Sequence, residues 1–133
     1  MSSKVEHVFF VDINETNRNF VEFRDKKLGV EKKLTFCKTI KDTQISKFDT
    51  IVCLDVLEHL ADPASQINNF SAIMNSNSIA LLNWYFYKGD KNEYPFHIDD
   101  SQIVEKFFET LQSNFLELFH PILITTRAYK KIR

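Results

Sequence analysis

The run FDTIVCLDVLEHLADP (48–63) carries the residues best suited to chemistry. An apolar stretch ending in Cys53 and Leu54 gives way at once to Asp55, Glu58 and His59, a D-x-x-E-H arrangement. A strand that only fills a core needs no acid at its tip. If a helical turn begins at 55, positions i, i+3 and i+4 share one face. Two carboxylates and an imidazole there, joined by His97 from YPFHIDD (94–100), make a donor set for a divalent ion that activates a hydroxyl. Another acid, Asp12, closes the run VEHVFFVDI (5–13). An acid at this position can end the strand and help to cap the helix that follows.

These residues need elements to position them. VEHVFFVDI is β-branched and aromatic, as expected of a strand buried on both faces. Asn14 is placed to cap a helix over ETNRNFVEFRDKKL, and Gly29 to stop it in the left-handed region. KKLTFCKT (32–39) reads as a second strand, IKDTQISK as a polar link, and FDTIVCLDV (48–56) as a third strand. Asp62 followed by Pro63 starts a helix whose Ile67, Phe70 and Met74 recur at helical spacing. SIALLNWYFY (78–87) reads as a fourth strand and KGDKNEYP (88–95) as a loop. Asp99, Asp100 or Ser101 then caps a helix burying Ile103, Val104, Phe107, Phe108 and Leu111. FLELFHPILITTRAYKKI (115–132) closes as two strands, a hairpin bent near Pro121. The alternation predicts an α/β, Rossmann-like, mostly parallel sheet with helices on both faces and a C-terminal antiparallel hairpin. Ligands of such sheets sit beyond the C-terminal strand ends, where both Asp12 and Asp55 fall.

The totals narrow the function classes. A chain of 133 residues is expected to be one domain. Its net charge of −1 offers no overall field for nucleic acid or an anionic membrane. Arg127, Lys130, Lys131 and Arg133 form a basic cluster that reads as a solvated last strand. Cys37 and Cys53 sit in apolar runs and read as reduced core thiols, which fits a cytoplasmic location. No signal peptide and no membrane span is read from the sequence. Neither a phosphate loop nor a serine-hydrolase elbow is present. His7 and His120 lie in strand-like runs without an assigned role, and half of the run Trp84–Tyr87 is expected to face the core.

VFFVDIN followed by a helix resembles the second motif of class I S-adenosylmethionine-dependent methyltransferases. FDTIVCLDVLEHLADP resembles their fourth motif, in a form close to that of ubiquinone-biosynthesis O-methyltransferases, and YPFHIDDSQIVEKFFETLQSNF resembles the substrate-side segment before their last hairpin. The resemblance implies S-adenosylmethionine as cofactor and a small-molecule acceptor methylated at oxygen. It implies that Asp12, with Ile13 beside it, holds the two ribose hydroxyls, that Thr39 lies near the adenine, and that Asp55, Val56 and Leu57 line the crevice by the methyl donor. Methyl transfer is an in-line displacement that often needs a base on the acceptor, and His97 and Asp55 are the candidates. The metal set Asp55, Glu58, His59 and His97 is the weaker alternative, because "EH" before an apolar residue also shapes a turn in metal-free relatives.

The family's glycine-rich turn has no counterpart. The chain has two glycines, Gly29 and Gly89, and begins just before the family's second strand, so the first strand and helix are expected to be missing. In the family that strand lies between the second and the fourth. Its flanking strands could pair directly, a second chain or a second copy could complete the sheet, or the chain could be a piece of a longer product. The alternative to an enzyme is a domain that has lost cofactor binding and serves as a partner-binding or dimerisation module.

Overall fold

The computed structural model describes residues 5–120, 122–123 and 125–132, and the chain divides into two compact units, Met1–Ile45 and Ser46–Arg133. In the first unit, β1 (Val8–Val11) pairs in parallel with β2 (Leu34–Cys37), in the register Val8 to Leu34 through Val11 to Cys37. The crossover between them is α1 (Glu15–Leu28). Asn14 caps it by accepting from the N–H groups of Thr16 and Asn17 at 2.9 and 3.3 Å. Gly29, at φ 67°, ends it by donating to the carbonyls of Asp25 and Lys26.

Two expectations for this unit need correction. The polar link after β2 is in part a 3-10 turn, Ile40–Thr43, closed by a capping box between Thr39 and Asp42. β1 is not buried on both faces: Val8 and Val11 are 40% and 39% exposed. On α1, Phe20 and Phe23 are also more than half exposed, and the buried residue is Asp25. Two strands and one helix have too few layers to enclose their own apolar side chains.

The second unit holds the larger core. Its sheet has the order β3-β4-β6-β5, built from β3 (Phe48–Cys53), β4 (Met74–Leu82), β5 (Phe115–Leu118) and β6 (Arg127–Lys131). β3 and β4 run parallel, joined by α2 (Pro63–Ile73); β6 is antiparallel to both β4 and β5, which makes the C-terminal hairpin. Pro121 lies outside the described residues. Among the described residues, β1 and β3 belong to separate sheets. Asp62 caps α2 through the Ser65 N–H at 3.0 Å, with Pro63 in its first turn. Asp100 caps α3 (Ser101–Asn114) through Gln102 and Ile103. The two helices pack on each other, and Asn114 Nδ2 donates to Asn68 Oδ1 at 3.2 Å. Leu57, Ile67, Met74, Ala80, Leu82 and Phe107 are fully buried.

The fourth strand is displaced from its expected span. It begins at Met74 rather than 78: Met74 pairs with Phe48, and across the register shift that follows, the side chains of the polar stretch bridge the strands, Ser78 Oγ donating to the Phe48 carbonyl at 2.6 Å and Asn75 Nδ2 to Asp49 at 3.0 Å. It stops at Leu82, so Trp84–Tyr87 follow the strand rather than extend it. Trp84 and Phe86 instead pack edge-on against Phe107, at 5.1 and 4.9 Å between centroids. The third strand likewise stops at Cys53, short of 56. No helix among the described residues is long and apolar enough to cross a membrane.

Burial pushes the Cys53 thiol up from 9.0 to about 12, with the nearby Glu58 charge adding to it. Burial likewise pushes the Tyr129 hydroxyl to about 12, followed by the charge of Glu117. An unfolded thiol ionises first, so the stability that the protonated folded thiol contributes is complete below pH 9 and is lost as pH rises toward 12. Calorimetric unfolding temperatures should therefore fall across that window, and Cys53→Ala should make the fall shallower.

Candidate functional site

Each unit places its acid at the C-terminal end of a parallel strand. In the first unit, the Asp12 N–H donates to the Cys37 carbonyl at 3.1 Å, continuing the ladder one step past β1. Its carboxylate then turns onto the start of α1: Oδ1 accepts from the Asn14 N–H at 2.7 Å and Oδ2 from Asn17 Nδ2 at 3.1 Å. A carboxylate has about four lone-pair directions, so each oxygen keeps one for an outside donor. The carboxylate is thus fixed in orientation yet not saturated. Ile13 beside it is 79% exposed. Thr39 is committed locally, its N–H and hydroxyl both donating to Asp42 Oδ2 at 2.7 and 2.9 Å. Those bonds hold the Asp42 carboxyl below the usual carboxylate range.

In the second unit the chain leaves β3 through Asp55, which adopts φ 53°. Among non-glycine residues, Asp and Asn tolerate this left-handed region best. Asn83, the first residue past β4, holds it there: the Asp55 N–H donates to Asn83 Oδ1 at 2.6 Å, and Asn83 Nδ2 donates to Asp55 Oδ1 at 2.9 Å. The Asn83 N–H meanwhile donates to the Cys53 carbonyl at 3.3 Å. The tips of two adjacent parallel strands are thereby clasped. The helical turn expected from position 55 does not form; a 3-10 turn, Leu57–His59, starts two residues later. Asp55 and Glu58 consequently do not share a face, for Asp55 is exposed and Glu58 is 2% exposed. Leu57, expected to line a crevice, has its side chain wholly in the core, whereas Val56 is exposed.

Asp55 and Asn83 open onto a cavity of about 490 Å³, further lined by Trp84, Tyr85, Thr125 and Arg127. Arg127 Nη1 lies 3.3 Å from both carboxylate oxygens of Glu117, and its guanidinium stands 5.8 Å from the centre of the Trp84 ring. Sequence reasoning misses Asn83 and Arg127 as site residues. Asn83 carries one usable signal, a polar residue ending an apolar strand, while Arg127 is masked by its basic neighbours.

A second cluster forms around the 3-10 turn. Glu58, His59 and His97 each offer a ligand atom, all within 4.8 Å of one another. His59 Nδ1 lies 3.3 Å from the Phe96 carbonyl and His97 Nδ1 3.2 Å from the Tyr87 carbonyl. A carbonyl on Nδ1 selects the tautomer whose Nε2 carries a lone pair, the form that ligates metals. Glu58 Oε2 is buried and has no hydrogen-bond partner among the described residues. The Ile98 N–H donates to the Glu58 carbonyl at 2.7 Å, tying the His97 segment to the turn. Tyr94 stacks on His97, 5.0 Å between centroids. The loop before it closes on Gly89 (φ 85°), where any Cβ would run into the Glu93 carboxylate. His97 is in this cluster and not among the residues lining the cavity.

No family model matches the chain, and no curated protein matches it. Solved structures do. A putative rRNA-methylase from Clostridium thermocellum superposes with a TM-score of 0.68 at 14% identity, over 96% of this chain and 73% of that one. Magnesium protoporphyrin IX methyltransferase (ChlM) from Synechocystis PCC 6803, solved with bound SAH, gives 0.60 at 17% identity, over 96% and 64%. The [4+2]-cyclase SpnF gives 0.62 at 13% identity, over 85% and 44%. The chain thus spans between 44% and 73% of these three. At such identities the likeness is one of fold, the class I fold found in S-adenosylmethionine-dependent methyltransferases.

The clasp itself is testable. Asn83→Ala removes both bonds to Asp55 at a partly solvated position, where each is worth on the order of 1 kcal/mol. Urea unfolding of this variant should show a loss of about 1–2 kcal/mol without a change in slope.

Proposed function

We propose that the chain acts as an S-adenosylmethionine-dependent methyltransferase that transfers a methyl group to an oxygen of a small molecule. The observation that carries this is the clasp of Asp55 with Asn83, at two adjacent parallel strand ends, opening on an aromatic-walled cavity in a fold shared with such enzymes. When bound, the cofactor would supply the electrophilic methyl group. Asp12, with its remaining lone pairs, is the proposed ribose ligand. Asp55 is the proposed base: Oδ1 is held by Asn83, which leaves Oδ2 to accept the proton of an acceptor hydroxyl. His97 is the less suitable base, since its ring is stacked on Tyr94 and grouped with Glu58 and His59.

A polypeptide partner is part of the proposal. In the second unit β3 pairs with β4 alone, which leaves its other edge without a strand among the described residues. Val52, Leu54 and Val56 stand 60%, 42% and 43% exposed along that segment. A second chain or a second copy is the proposed cover.

Titration calorimetry with S-adenosylhomocysteine should give saturable heat, and Asp12→Asn should weaken binding at least about tenfold, the cost of a lost charge-assisted pair. A folded chain that gives no heat, alone or with its partner, would favour the non-catalytic module instead. Light scattering should show a dimer at the same concentrations; a monomer would assign the cover to a different polypeptide.

The metal reading survives on one observation, the buried, unpartnered Glu58 Oε2 beside two imidazoles. Its ligands would be Glu58, His59 and His97, with Asp55 engaged elsewhere. A set of one carboxylate and two imidazoles suits zinc, iron or cobalt better than magnesium. Titration with Co²⁺ should raise a visible absorption band that saturates near one ion per chain, and His97→Gln should abolish it. A flat spectrum in the folded wild-type chain would remove the metal.

A further inference from the structure

The strand β5 (Phe115–Leu118) forms one end of the second unit's sheet, and among the described residues its single neighbour is β6. We propose that this free edge pairs with the same edge of a second copy, antiparallel about a two-fold axis at Glu117, so that two four-stranded sheets join into one. β3 lies at the other end of the sheet, and the pairing does not depend on the methyltransferase reading.

The direction of the backbone groups selects the axis. The Ile132 N–H donates to the Asn114 carbonyl at 3.0 Å, one step before Phe115 pairs with Lys131. Along an antiparallel ladder, residues that bond across the pair alternate with residues that do not. Leu116 and Leu118 therefore turn their N–H and C=O groups to β6, and Phe115 and Glu117 turn theirs to the free edge. Phe119, the next residue, falls on the same alternation. A dyad through a residue needs that residue's backbone to face outward, and Glu117 meets the condition. The Glu117 N–H and carbonyl then bond their own mates, and the Phe119 N–H bonds the Phe115 carbonyl of the second copy. The Phe115 N–H is not needed there; it already donates to the Leu111 carbonyl.

The side chains obey the same symmetry. FLELF (115–119) reads identically in both directions about Glu117. Antiparallel pairing about that residue sets Leu116 opposite Leu118 and Phe115 opposite Phe119, apolar against apolar everywhere but at the axis. Leu116 is 60% and Phe119 92% exposed, so these contacts cover apolar side chains that one copy leaves in water. A run without lysine, proline or glycine is also poorly guarded against edge pairing. The two Glu117 carboxylates would meet at the axis. Each is answered within its own hairpin, by Arg127 Nη1 at 3.3 Å from both oxygens and by the Tyr129 hydroxyl at 3.4 Å. A different polypeptide would demand no such symmetry of β5. One dyad closes a dimer, whereas a second dyad at β3 would extend it into a filament. A second copy at β5 therefore leaves the edge of β3 to a different polypeptide.

Sedimentation velocity of the full chain should show a monomer–dimer equilibrium that shifts with concentration. Leu116→Lys should weaken the dimer at least about tenfold, because the dyad makes the change twice. Val52→Lys, on β3, should leave the dimer unchanged. Crosslinking reads the axis itself. Glu117→Cys sets two thiols at a pair whose Cα atoms would lie about 5.5 Å apart, within disulfide reach. Mild oxidation should then join two chains, whereas Val52→Cys should stay unlinked; the native Cys37 and Cys53 are buried. A chain monomeric at every concentration would overturn the proposal, as would a dimer abolished by Val52→Lys and kept by Leu116→Lys. A dimeric Glu117→Cys protein that does not crosslink would overturn it too, even where Leu116→Lys fails to fold. No methyl donor is present, so failure here is separate from failure of the S-adenosylhomocysteine titration.

Discussion

The left-handed residue at position 55 is the constraint on which the local architecture of the second unit depends. A strand that continued through 54 to 56, as the apolar pattern invites, would send successive side chains to alternate faces and leave no turn at the sheet's end. The φ of 53° at Asp55 ends β3 instead, and two hydrogen bonds to Asn83 keep it there. Neither partner is replaceable by an apolar residue of similar size. Asp tolerates the backbone conformation, and a side-chain amide answers both an N–H donor and a carboxylate acceptor. The residues on either side of the clasp take their direction from it: Leu57 enters the core, Glu58 is drawn under it, and Trp84 leaves β4 toward Phe107.

The two units differ in how much of their apolar surface they can cover. In the second, four strands and two mutually packed helices enclose Ile67, Met74, Leu82 and Phe107 completely. In the first, the buried residues are Asp25, Cys37 and Thr43, whereas Phe20, Phe23 and Ile13 stand more than half exposed. Phe10 and Phe36 do meet across the parallel pair, 5.8 Å between centroids, yet their unit buries few apolar side chains. In the second unit the exposed aliphatic side chains are Val52 on β3 and Leu54 and Val56 just past it. Exposed apolar side chains are therefore present in each unit separately.

Much of this architecture is legible in the sequence because local signals are strong. Asn14, Asp62 and Asp100 each sit where a side-chain oxygen reaches two or three residues ahead, and Gly29 is the residue that a left-handed cap selects; all four act accordingly. The aromatic and aliphatic spacing of α3 places Phe107 and Leu111 inward, as the structure has them. The boundaries that sequence misplaces are those governed by partners distant along the chain. Met74–Ser78 looks like the tail of a helix and a polar turn, and becomes strand only because Phe48 and Asp49 answer Ser78 and Asn75. The shared face of 55, 58 and 59 fails for the same kind of reason: the spacing is right for a helix, but Asn83, 28 residues away, imposes another conformation on Asp55. Arg127 is hidden among lysines on the final strand, since sequence cannot tell which of several cations has an indole beneath it.

Asp55 and Glu58 lie three residues apart and meet opposite environments. Asp55 is exposed, has one oxygen held by Asn83, and borders the cavity. Glu58 is enclosed, with one oxygen unanswered, and its charge bears on the protonated thiol of Cys53. A buried carboxylate in that condition is costly to keep unless something compensates it. Two imidazoles within 4.8 Å can do so in either of two ways, by sharing a proton with it or by joining it around a cation. In both cases Glu58 stabilises the turn that comes after Asp55, through its carbonyl bond from Ile98, and so holds the segment of His97 against it. The backbone of the buried residue thus ties down the loop that follows the exposed one.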